Sequence, residues 1–218
     1  MPGFLSATSI RHTHPGAPGI RAARQIREVC AVRVIAGEAH GRRMRAPRGL
    51  RTRPATARVR ASIFSRVSSR IELSGARVLD LFAGSGSLGL EALSRGAARA
   101  VFVDSSRAAA AAIRDNLSSL GLEARAEVVV AEVERALAAL VARGERFDLV
   151  FIDAPYRNDV SAAVLGALAA RGLLDAGACV VVRQARRAPE TDAAGLEMIN
   201  CATLGDHRIA LYRAARPR

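Results

Sequence analysis

The chain has no lysine and no tryptophan, and aromatic residues make up only 4% of it. All 33 basic residues are therefore arginine. No apolar run approaches the roughly 20 residues needed to cross a bilayer as a helix, so a membrane-spanning helix is excluded and a soluble chain is expected. Cysteine is scarce as well. Cys30, Cys179 and Cys201 stand alone, without a CxxC pair, which argues against both a zinc site and a disulfide framework. Cys179 lies in an apolar stretch and reads as a small core residue, and a reducing, cytoplasmic setting is expected. The most informative scarcity is that of acids. Residues 1–70 hold 15 arginines against Glu28 and Glu38, whereas the remainder balances 18 arginines with 18 acids. The net charge of +13 thus belongs to the first third. A GC-rich genome accounts for arginine in place of lysine, but it does not remove acids from one end. Such segregation fits a polyanion-binding face joined to a neutral catalytic domain.

What is present is a chain of 218 residues, 50% hydrophobic, long enough for one domain with a substantial core and a small appendage. Residues 1–30, with Pro15, Gly16, Pro18 and Gly19 and no acid before Glu28, are expected to be a disordered basic tail. Their arginine content also fits a transit peptide, although an extended or misassigned start suits the weak apolar face better. His12 and His14 read as tail residues. Residues 31–70 are expected to form a basic RNA-binding hairpin and helix, and residues 71–218 a separate catalytic domain. Within the first module, two short strands surround a Gly37–Gly41 turn, a basic loop follows at 47–54, and a helix begins at Thr56. Val59, Ile63 and Val67 recur at helical spacing, with Arg58, Arg60 and Arg66 placed off that stripe. Candidate RNA contacts are Arg42, Arg43, Arg45, Arg53, Arg58 and Arg60.

From Arg77 the pattern becomes strand–helix alternation. Strands are expected at 77–82, 99–104, 126–130, 147–152 and 178–183, and helices at 87–95, 106–119, 133–143 and 159–171. Residues 195–201 and 207–213 read as a hairpin around Gly205-Asp206. This is an α/β class pattern: a doubly wound, mostly parallel Rossmann-like sheet with a C-terminal antiparallel hairpin.

Two segments carry chemistry. The first is Val78-Leu-Asp-Leu-Phe-Ala-Gly-Ser-Gly-Ser-Leu-Gly89, a strand running into a glycine loop and a helix. Gly84 and Gly86 permit a tight turn and close ligand approach, and Gly89 permits close helix packing. A lone GxGxxG is shared with nicotinamide enzymes. Here Asp80 precedes the loop, which disfavours a pyrophosphate and suits a cationic sulfonium with an amino-acid end. Phe82 lies within the same loop and joins the candidate set. Asp104, about 20 residues on, can hold ribose hydroxyls or cap the next helix. Glu132, after the third strand, can accept an adenine amine.

The second segment is Asp153-Ala-Pro-Tyr156 at the end of an apolar strand. An exocyclic amine of a nucleobase is a poor nucleophile because its lone pair is delocalised into the ring. Asp153 and the Ala154 carbonyl can face its protons, Pro155 stiffens the turn, and Tyr156 offers a face for stacking. No step needs a metal.

In their order these motifs resemble the bacterial 16S rRNA guanine-N2 methyltransferases of the RsmD type. The resemblance spans about residues 32–213 and rests on Val34-Ile-Ala-Gly37 with Gly41-Arg-Arg43, Arg53-Pro-Ala-Thr-Ala-Arg-Val-Arg60, Leu79–Gly96, Asp153–Tyr156 and Gly205-Asp-His-Arg208. It implies a class I methyltransferase fold, S-adenosylmethionine as cofactor, and a guanine of small-subunit rRNA or a 30S particle as substrate, handled by a monomer. Asp80, Gly84, Gly86 and Asp104 are implied at the cofactor, and Asp153, Pro155 and Tyr156 at the target amine. Four positions depart from the family pattern: Ala57, Ala61 and Ala154, and Arg183, where an acid is common. Two alternatives stay open at this point. One is an amino-methyltransferase acting on adenine N6 of another nucleic acid. The other is a catalytically weakened RNA-binding assembly factor, motivated by the missing acids.

Overall fold

The computed structural model describes residues 32–46, 55–154, 160–188 and 194–215. Within them, the chain begins with a short antiparallel pair, β1 (Val32–Arg33) and β2 (Arg43–Met44), joined through left-handed Gly37 and Gly41. Helix α1 (Ala57–Ser68) starts where the Thr56 hydroxyl accepts the Val59 N–H at 3.3 Å, an N-cap that satisfies one of the free donors of the first turn. Val59, Ile63 and Val67 are buried as the spacing implies. No helix among the described residues is long and apolar enough to cross a membrane.

The alternating segment folds into β3 (Arg77–Leu81), α2 (Ser87–Ser94), β4 (Arg99–Asp104), α3 (Arg107–Leu120), β5 (Ala126–Val130), α4 (Val133–Ala142), β6 (Phe147–Ile152), α5 (Val160–Ala170) and β7 (Leu174–Ala185). The hairpin β8 (Leu196–Leu204) and β9 (His207–Ala214) completes a seven-stranded sheet of order β5-β4-β3-β6-β7-β9-β8. The first five strands of that order are parallel, while β9 runs antiparallel to both of its neighbours. Strand β7 is longer than its apolar run, 178–183, because residues before Gly177 rejoin β6 across a register shift between Phe147 and Leu149.

Side chains alternate between the two faces of the sheet. Val78, Phe102, Phe151 and Val181 face α1, α2, α3 and the β1–β2 hairpin, whereas Leu79, Leu81, Val150 and Val182 face α4 and α5. The boundary expected at residue 70 therefore runs through a continuous core: Val34, Met44, Ile63 and Phe64 share a cluster with Val78 and Leu90, and Ala31–Arg218 form one compact unit.

The order of strands reverses direction between β3 and β6. In open α/β sheets, ligands bind beyond the carboxyl ends of the strands at such a reversal. Asp80 sits beside Phe151 and Leu81 beside Ile152 in this pair, so the glycine loop and Asp153 emerge side by side.

Candidate functional site

After Leu81 the chain turns sharply. Phe82 adopts φ 57°, making it the one non-glycine residue among those described with a left-handed backbone. A side chain in that region costs about 1–2 kcal/mol, and such strain persists where the surroundings enforce it. Gly84 and Gly86 follow at φ 56° and 74°, and Gly86 caps α2. The three glycines serve different ends. A Cβ at Gly84 would meet nothing nearer than the Phe82 carbonyl at 3.9 Å, so that side of the loop is open to a ligand. A Cβ at Gly89 would lie 2.3 Å from the Phe102 ring, so that glycine lets α2 settle on β4.

Two carboxylates shape the loop from below. Asp80, 1% exposed, accepts the Gly89 N–H at 2.9 Å and thereby caps α2 from the neighbouring strand. Burial pushes its pKa well above the usual carboxylate range, and the charges of Asp153 and Asp104 push the same way. Asp104 accepts the Gly84 N–H and the Ser106 N–H, both at 2.8 Å, tying the loop to the start of α3. Each of its oxygens retains a further lone pair. Glu132 lies two residues beyond β5, exposed at the start of α4, with no side-chain capping bond to that helix.

Asp153 follows β6, its N–H 3.5 Å from the Leu81 carbonyl. Its carboxylate meets Arg183 of β7 in a two-point contact, Nε to Oδ1 at 2.6 Å and Nη2 to Oδ2 at 2.7 Å. Ala154 is buried. Pro155 and Tyr156 lie outside the described residues, as does Arg53.

Of the other arginines singled out, Arg43, Arg45 and Arg58 are exposed. Arg42 is exposed too, but its guanidinium donates to the Ser119 and Leu120 carbonyls at the end of α3. Arg60 corrects the expectation of a free contact. It is fully buried and donates to the Ala55 carbonyl at 2.8 Å and to the Arg33 carbonyl. Burial lowers its pKa, with Glu91 opposing the shift.

Sequence reasoning missed three buried polar residues that join the basic hairpin to this site. Asn116 accepts the Arg45 N–H at 2.7 Å and donates to the Arg45 and Ser85 carbonyls, linking the hairpin exit to the glycine loop. Glu91 accepts the Ile35 and Ala36 N–H groups at 2.8 and 3.0 Å. Ser94 accepts the Ala39 N–H and donates to the Ala36 carbonyl. The signal was a polar residue on an otherwise apolar helix face, where such groups must find partners.

The family described as Conserved hypothetical protein 95 matches residues 32–213. YlbH of Bacillus subtilis is 37% identical over 183 residues, 84% of this chain and 98% of its own. The ribosomal RNA small subunit methyltransferase D of Escherichia coli K12 is 36% identical over 151 residues, covering 69% of this chain and 73% of that protein. Among solved structures, a hypothetical protein of Thermus thermophilus, TTHA0928, superposes with a TM-score of 0.71 at 32% identity, over 85% of this chain and 99% of that one. The chain has the class I methyltransferase fold and belongs to this family, the RsmD type.

Proposed function

We propose that the protein transfers a methyl group from S-adenosylmethionine to the exocyclic N2 amine of a guanine in small-subunit ribosomal RNA. One arrangement carries the reading. A strained loop, open on the Gly84 side, stands beside Asp104, Asp80 and Asp153, which end or follow three neighbouring parallel strands. The Asp104 and Asp153 carboxylates of this edge complement a ligand bearing a sulfonium and an ammonium group and repel a pyrophosphate. The name of the Escherichia coli relative, a small-subunit rRNA methyltransferase, points the same way.

When bound, the cofactor supplies an electrophilic methyl group, whose C–S electron pair stays on sulfur as the new N–C bond forms. Asp104 would hold it by the free lone pairs of its carboxylate, with Phe82 and the open face of Gly84 beside it, and Glu132 would meet its adenine from the outer strand. Asp80 keeps the loop in shape through Gly89. Asp153 and the Ala154 carbonyl accept hydrogen bonds from the two amine N–H groups, localising the nitrogen lone pair for attack, and the single proton released as the N–C bond forms passes to the Asp153 carboxylate. Pro155 and Tyr156 would fix the turn and stack on the extruded guanine. Holding amine and methyl in line supplies much of the rate.

The direct test is nucleoside mass spectrometry of 30S particles incubated with the protein and S-adenosylmethionine. New N2-methylguanosine in the 16S rRNA is expected. N6-methyladenosine in its place, or no methylation with tight cofactor-independent RNA binding, would overturn the reading.

The exposed Arg43, Arg45 and Arg58 give a second test. Deleting the basic hairpin would open the shared core, so substitution is the cleaner route. Replacing all three by alanine is expected to weaken RNA binding and to reduce the slope of log K against log salt by about 2, since each phosphate contact on a single strand contributes about 0.7. An unchanged slope in filter-binding titrations would place the RNA elsewhere.

A further inference from the structure

We propose that Arg183 is the positioning residue for Asp153: its guanidinium grips the carboxylate from the buried side and aims the remaining lone pairs at the target amine. The inference rests on the methyl-transfer reading of this site.

The geometry is that of a fork. Ile152 pairs with Val182 across β6 and β7, so Asp153 and Arg183 occupy the next rung and face each other at the same sheet edge. Two N–H groups of Arg183 meet one oxygen each, at 2.6 and 2.7 Å. A planar guanidinium held at two points fixes the plane of the carboxylate as well as its position, which a lysine ammonium cannot do. A carboxylate has about four acceptor sites, and the fork uses one on each oxygen. The Arg183 side chain is 8% exposed and that of Asp153 18%, so the open edge of the pair belongs to the carboxylate. An incoming amine therefore finds acceptors already oriented.

Electrostatics favour the same arrangement. Asp80 lies near enough to Asp153 and to Asp104 to feel the charge of each. Arg183 sets an opposite charge beside the carboxylate that is to accept the amine hydrogen bond. His207, at the start of β9, feels both members of the pair. Burial lowers its pKa, the charge of Arg183 adds to the fall, and Asp153 and Asp206 oppose it.

Arg183→Gln and Arg183→Lys, measured beside the wild type on 30S particles, test the assignment. Misplacing a reacting group by an ångström costs on the order of 100-fold. Arg183→Gln is expected to lower kcat by about that factor, with Arg183→Lys between it and the wild type because the charge remains but the fork is lost. Cofactor Kd by calorimetry should stay within about twofold in both, which also certifies folding. In an Asp153→Asn background, Arg183→Gln should cause no further loss, as expected of two groups acting as one unit. Independently of turnover, the Arg183 Nε–H of the free enzyme should give a slowly exchanging proton resonance that disappears in Asp153→Ala. Wild-type or raised kcat in Arg183→Gln, additive losses in the double variant, or absence of that resonance would each overturn the inference. An inactive wild type whose Arg183 resonance is present would instead overturn the functional reading on which it rests.

Discussion

Asp153→Ala is expected to lower the rate of rRNA methylation by about 10³-fold, in the middle of the range for a positioned proton acceptor, while S-adenosylmethionine affinity stays within about twofold. The separation follows from what holds the loop. Gly89 is fixed by Asp80 and Gly84 by Asp104, and neither bond involves the Asp153 side chain. Removing the Asp153 carboxylate also takes away the two-point partner of the buried Arg183, so some stability is lost and melting must be recorded beside turnover. Asp153→Asn gives a milder comparison. Its shape is kept, but its amide directs a donor at a guanidinium that can only donate. Single-turnover methylation and calorimetric cofactor binding check the prediction. A fall in cofactor affinity as steep as the fall in rate would reassign Asp153 from the target amine to the cofactor.

The second large effect is on folding. Glu91→Ala is expected to destabilise the protein by about 3–5 kcal/mol, the usual cost of removing one partner from a buried charged network. Glu91 is fully buried in the middle of α2. Its carboxylate accepts two hairpin N–H groups and pairs with Arg95 at 2.9 Å, and that guanidinium in turn lies 4.7 Å from the centre of the Phe64 ring on α1. One carboxylate thus ties the hairpin, α2 and α1 together. With alanine, two amides lose their acceptor, each at about 1–3 kcal/mol, and the buried Arg60 loses the negative charge that opposes its desolvation. In a domain of this size about 1 kcal/mol moves the melting temperature by about 2–4 °C, so a shift on the order of 10 °C should appear in calorimetry. Hydrogen exchange at Ile35 and Ala36 should accelerate first. A shift of only a degree or two would mean that the hairpin is held by its apolar contacts alone.

Much of this architecture was legible from residue order. Short apolar runs alternating with helical stretches placed β3 to β6 within a residue of their ends, and the helix expected from Thr56 is α1, whose N-cap is that threonine. Gly89 was assigned a packing need distinct from the turn of Gly84 and Gly86, and the Phe102 ring beneath it shows why that position has no room for a side chain. What escaped was set by partners distant in sequence. Arg60 looked like a solvent-facing arginine because its spacing departs from one stripe by a single position. The carbonyls that receive it belong to the helix entry and to β1. Glu91, Ser94 and Asn116 each needed knowledge of where the hairpin docks. Arg183 stood out only as a departure from a pattern, since nothing local shows that β7 carries it to Asp153. The basic stretch 47–54 and the turn Pro155-Tyr156 lie outside the described residues.

The clamp on the hairpin also sets a schedule. Its acceptors and donors on α2 lie 55 to 58 residues beyond the backbone groups they satisfy. A ribosome adding about 5–20 residues per second makes that stretch in roughly 3–12 s. For those seconds the arginine-rich start of the chain has left the site of synthesis while Glu91 has not yet been made. Each nascent molecule thus passes through an interval in which the hairpin's backbone groups must take their hydrogen bonds from water, because their partners on α2 do not yet exist.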